Sequence, residues 1–147
     1  MSKYIEFFAA PSDAAAAAVR NTGPAGGYAI VDASNIYFDA DDAVIAWRNL
    51  LGRRPGLYRS ELDNLHTVAD FVNDGSAVFA LPEELVTDLI EASSLRLRAV
   101  AAAWVPAVVA DGTEIDVDTA AVLLSRIADL ARAAAGTEDR LYCWVAC

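Results

Sequence analysis

The segment LYCWVAC, residues 141–147, carries apolar side chains on both sides of an extended backbone. Successive strand residues point to opposite faces, so Leu141, Cys143, Val145 and Cys147 share one face while Tyr142, Trp144 and Ala146 share the other. A strand apolar on both faces is expected in the middle of a sheet. Along such a strand Cys143 and Cys147 have Cα atoms about 13 Å apart. A disulfide needs them within about 7 Å, so the pair does not bridge without a bend. A zinc site would need further ligands, and the chain has no other cysteine and one histidine. The cysteines therefore read as small buried hydrophobes with reduced thiols. Cys147 is the exception, a thiol at the chain end that could join two copies under oxidation.

The rest of the chain supplies strands and helices in turn. KYIEFFA reads as a strand rich in aromatic and β-branched residues. Ser12 then caps a helix over DAAAAAVR, and NTGPAGG makes a loop. YAIVDAS is a second short strand. DADDAVIAWRNLLG is a helix capped by Asp39, with Asp41 and Asp42 in its positive first turn, Gly52 past its end, and Ala43, Val44, Trp47, Leu50 and Leu51 facing inward. SELDNLHTV is assigned a helix and VNDGSA a turn, followed by the strand AVFAL.

Pro82, Glu83 and Glu84 open the next helix, and Ser93 or Ser94 caps another that Pro106 is expected to stop. Asp118 is expected to cap a long final helix closed by Gly136, with an apolar stripe of Leu123, Leu124, Ile127, Leu130, Ala131 and Ala134. Three consecutive helices before the last strand favour an α+β fold over a doubly wound one. The expectation is a single domain over residues 1–147, a small mixed sheet packed by about five helices.

The formal charge of -10 disfavours nucleic acid, which is bound by clustered Lys and Arg, and also disfavours anionic membranes. It suits solubility alone equally well, or attraction to a basic protein partner. The apolar fraction of 56% is inflated by alanine, a helix former more than a core filler. The longest apolar stretch, residues 99–110, is interrupted by Pro106 and falls short of the roughly 20 residues a bilayer crossing needs. MSKYIEFFAAPSD lacks the charge and apolar length of an export signal, so a cytoplasmic location is expected.

Chemistry-bearing residues are few. His66 is the one side chain whose unperturbed pKa lies near neutrality, and it is the weak catalytic candidate, with Ser60 as a conceivable nucleophile beside Glu61 and Asp63. No glycine elbow surrounds any serine, and a structural histidine is the default. Trp47, Arg53, Arg54 and Tyr58 are weak ligand-binding candidates, since paired arginines beside aromatics suit a phosphate or carboxylate. Arginines that follow a helix also complement its dipole, which is the simpler account. The acidic runs DADD and DGTEIDVD lack the EF-hand order, and GPAGG fits no phosphate loop. No metal and no cofactor are expected.

FFAAPSDAAAAA, FDADDAVIAWRNLL and VFALPEEL resemble small uncharacterised actinobacterial proteins over most of the chain. The long last helix and DRLYCWVAC are similar to the end of the YfbM-like uncharacterised proteins, an α+β family of similar size. That likeness covers about the last third and brings no catalytic motif. Three readings follow: an acidic module, such as an immunity-type protein, that binds a basic protein, a small-molecule-binding protein, or an acid–base enzyme with a pocket near His66, Trp47 and Arg54. The first leads, and a non-enzyme is favoured.

Overall fold

The computed structural model describes residues 4–24, 26–52, 65–69 and 76–146. The elements in chain order are β1 (Tyr4–Ala10), α1 (Asp13–Ala17), β2 (Ile30–Asp32), α2 (Ala40–Gly52), β3 (Thr67–Ala69), β4 (Ala77–Ala80), α3 (Glu83–Glu91), α4 (Ser94–Ala110), α5 (Val117–Thr137) and β5 (Arg140–Ala146). The strands form one five-stranded sheet in the order β2-β1-β5-β4-β3, so the last strand lies at its centre. Phe7 on β1 and Phe79 on β4 both stand opposite Cys143 on β5. All pairings among the described strands are antiparallel, where a mixed sheet was expected. Three successive helices return the chain between β1 and β4, running opposite to both. The fold is α+β.

The alternation in β5 divides the molecule into two cores. Ile5, Phe7, Val31, Phe79, Leu141, Cys143 and Val145 face the side covered by α2, α3, α4 and α5. Trp47 and Trp104 meet edge to face there, 5.1 Å between centroids, with Phe38 against Trp104 at 5.5 Å. Each such buried side chain contributes roughly 1.5–3 kcal/mol relative to exposure. On the opposite side Phe8, Val78, Tyr142 and Trp144 lie beneath Ala16 of α1 and Val19 just after it.

Several boundaries differ from the sequence expectation, each for a local reason. Of SELDNLHTV, residues 60–64 lie outside the described residues. Leu65 and His66 are not helical and Thr67–Ala69 is strand, because the His66 carbonyl accepts from the Ala80 N–H at 2.8 Å and draws the segment onto β4. The turn expected over VNDGSA lies outside the described residues except for Ser76 and Ala77, and Ala77 opens β4. α1 is shorter than DAAAAAVR, ending at Ala17.

Pro106 does not stop α4, which continues to Ala110. A proline lacks only its own N–H, and the carbonyl this orphans belongs to Ala102, itself an exposed residue. α5 begins two residues earlier than expected, because Asp116 and not Asp118 is the cap, accepting from the Thr119 N–H at 2.7 Å. Asp118 instead accepts from Arg98 Nη2 at 2.5 Å. Gly136 lies within α5, and the left-handed residue after the helix is Glu138, φ 61°. Among the described residues no helix is long and apolar enough to cross a membrane.

The turn after α1 is fitted to the indole of Trp144. Trp144 Nε1 donates to the Arg20 carbonyl at 2.8 Å, and Gly23 lies against the ring with φ +78°. A Cβ on Gly23 would stand 3.1 Å from two ring carbons. Left-handed backbone and close approach both exclude a side chain there. Gly23→Ala is expected to lower stability by about 1–2 kcal/mol in urea unfolding, and an unchanged midpoint would show that this turn does not hold Trp144.

Candidate functional site

Asp13 is the first residue of α1, and Ser12 before it fixes the helix start by accepting from the Ala15 N–H at 3.1 Å. That start aims the Asp13 carboxylate across the sheet at two partners. Tyr142 of the central strand donates its hydroxyl to Oδ1 at 2.6 Å, and His66 Nε2 lies 2.9 Å from Oδ2. The Tyr142 ring is buried against Phe8, 5.7 Å between centroids. His66, registered on β4 by its carbonyl, keeps its ring exposed. Three residues separated by 53 and 129 positions thus form one chain, Tyr142–Asp13–His66.

The electrostatics assign a role to each. The hydrogen bond from Tyr142, and then that from His66, hold the Asp13 carboxyl below its ordinary value of 3.8. An ionised carboxylate only accepts, so His66 Nε2 carries the shared hydrogen and the neutral ring presents Nδ1 as its lone pair. Burial, and then the bond to Asp13, push the Tyr142 phenol well above its ordinary 10.0. Tyr142 is thereby a fixed donor and not a proton carrier near neutrality.

His66 also borders a cleft of about 670 Å³, within the usual size range of small-molecule sites. The cleft lies where β4 passes into α3 and β5 begins. Leu65, Leu81, Pro82 and Val86 give it an apolar part, and its charged part holds Arg48 and Arg140 together with the carboxylates Glu83, Glu84 and Asp139. Arg48 Nε stands 3.5 Å from Glu84, and Arg140 Nη2 stands 3.7 Å from Glu83. Nη1 of Arg48 is buried without a hydrogen-bond partner.

The sequence candidates divide. His66 is at the cleft. Trp47 is fully buried among Phe7, Phe38 and Trp104 on the far side of the sheet from Asp13, and does not line the cleft. Arg53, Arg54 and Tyr58 lie outside the described residues, as do Ser60, Glu61 and Asp63. Among the described residues, Arg96 Nη2 donates to the Leu50 carbonyl in the last turn of α2 at 2.5 Å. Cys143 is buried, and that burial raises its thiol well above the ordinary range; Cys147 lies outside the described residues. No group of three His, Cys, Asp or Glu side chains suited to a metal occurs among the described residues. Asp13, Tyr142, Arg48 and Arg140 escaped sequence reasoning, since only the tertiary packing of α1, α2 and the sheet brings them near His66. Comparison with protein-family models, with curated proteins and with solved structures returned no match in any of the three.

The two shifts give opposite pH signatures. Asp13 is more acidic folded than unfolded, so its contribution to stability is present above 3.8 and is lost as pH falls through its lower folded value. Tyr142 keeps its proton when folded, so its contribution is present below 10.0 and is lost as pH rises above it. Urea midpoints followed against pH are expected to lose part of the acid limb in Asp13→Asn and part of the alkaline limb in Tyr142→Phe. Variant and wild-type profiles of the same shape would remove the chain from the folded state's proton balance.

Proposed function

We propose that this protein is an acidic, cytoplasmic protein-binding module, of the kind that neutralises or regulates a basic partner. The observation that carries the reading is the contact between two acidic segments. Thr113, buried, donates its hydroxyl to the Tyr37 carbonyl at 2.5 Å. This seats the loop holding Asp111 and Glu114 beside the start of α2, where Asp39, Asp41 and Asp42 are exposed. Residues 21–47 and 99–125, which supply this region, contain no lysine or arginine. Exposed Tyr37 adds an aromatic surface among the carboxylates, a residue type enriched at protein interfaces.

A surface of one sign raises the encounter rate with a partner of the other, and salt screens the effect over about 10 Å at 0.1 M. Nucleic acid, with its own negative charge, is the wrong sign for this face. The test is capture from the source lysate at low and high salt, by wild type and by the triple variant Asp41→Asn, Asp111→Asn, Glu114→Gln. The expected result is a basic protein held at low salt, released at high salt and not held by the variant. Retention of the same protein by the variant, or at high salt, would overturn the electrostatic reading.

A second reading, small-molecule binding with acid–base capacity, is favoured by the placement of His66 between Asp13 and the cleft. The histidine is oriented by a carboxylate and offers its second nitrogen to a ligand, the arrangement general-base chemistry uses. In a thermal-shift screen, a ligand of this cleft is expected to raise the melting temperature of wild type and not of His66→Ala. Equal shifts in both would place that ligand elsewhere.

A further inference from the structure

The arginines around the cleft differ from those that serve the fold. Arg96 donates to the Leu50 carbonyl at the end of α2 at 2.5 Å, and Arg132 donates to the Ala92 carbonyl at 2.9 Å and to Asp129 at 3.0 Å. Arg98 reaches Asp118 at 2.5 Å. These are at hydrogen-bond length. Arg48 and Arg140, the two arginines that line the cleft, stand 3.5 and 3.7 Å from their carboxylates, too far for charge-assisted hydrogen bonds. A guanidinium offers a fork that fits a carboxylate or phosphate. His66 on the same wall supplies a further nitrogen, while Leu65, Leu81, Pro82 and Val86 offer apolar surface.

We infer that the cleft binds a small molecule with an anionic head, carboxylate or phosphate, on an apolar body, the head held by Arg48 and Arg140 beside His66. The inference rests on the second reading above and names its ligand class. An anion in the cleft takes hydrogen bonds from the Arg48 and Arg140 forks in exchange for Glu84 and Glu83, carboxylates that line the same cleft together with Asp139. The apolar body covers Leu81, Pro82 and Val86. The acidic face around Tyr37 is on a different part of the chain and plays no part.

His66 is the chain's one histidine, so one imidazole Hε1 signal reports on the cleft in NMR titrations. The probes are benzoate and phenyl phosphate as anions, benzyl alcohol as neutral and benzamidine as cation, each with the same aromatic body. Saturable movement of the His66 signal is expected with benzoate or phenyl phosphate, and which of them binds tighter separates carboxylate from phosphate. Arg48→Gln and Arg140→Gln are each expected to weaken that binding tenfold or more, with Arg98→Gln without effect. Arg48→Lys keeps the charge and loses the fork, so it is expected to weaken binding even where its melting temperature equals that of wild type. Binding of benzyl alcohol or benzamidine as tight as that of the anions would overturn the anion assignment and leave the cleft as a site. No movement of the His66 signal with any probe would overturn the assignment and the cleft reading together.

Discussion

The two-sided burial of β5 is the constraint from which the other elements take their places. A strand with Leu141, Cys143 and Val145 on one side and Tyr142 and Trp144 on the other needs apolar cover on both. Four helices provide it on one side. On the other, five residues of α1 and the turn to Gly23 are enough, because the two large aromatics bring their own polar ends to that layer. Trp144 donates to the Arg20 carbonyl and Tyr142 to Asp13, so the thin cover is tied down by the residues it covers. A buried Tyr or Trp usually requires such a partner.

That arrangement explains how a polar chain arises on the α1 side of the sheet. The hydroxyl of Tyr142 requires an acceptor, and the start of α1 supplies the Asp13 carboxylate. Once ionised there, Asp13 has a second oxygen free to orient His66. The polar chain is a consequence of satisfying a core tyrosine, and its exposed end borders the cleft.

Much of the fold was legible because it is written in short-range patterns. The two-faced apolar alternation of LYCWVAC placed the last strand at the centre, and the stripe of α5 from Leu123 to Ala134 is buried as the helical period implies. Ser12 and Ser93 cap as expected, each accepting from a backbone N–H three residues on. The errors came where a distant residue decided a local choice. His66 and Thr67 carry no strong preference against helix, and pairing with Ala80 and Phe79 made them extended. Between Asp116 and Asp118 either carboxylate suits a helix start, and Arg98, twenty residues away, takes Asp118. The site was less legible than the fold. His66 stood out by type, but Trp47 was placed beside it only by analogy of an aromatic with a pocket, and its position on the helical stripe with Val44 and Leu51 was the stronger sign that it belongs to the core.

The placement of charge follows from the same architecture. Arg96 and Arg132 are drawn to the carbonyl ends of α2 and α3, where they satisfy acceptors the helices leave open. The beginnings of α2 and α5 attract carboxylates for the complementary reason, as Asp41, Asp42, Asp116 and Asp118 show. The loop before α5 packs against the segment leading into α2 through Thr113 and Tyr37, which draws two helix beginnings with their acids toward each other. Arg48 lies seven residues beyond Asp41 on α2, about 10 Å further along the axis, so the same helix carries acids at its beginning and an arginine of the cleft two turns on.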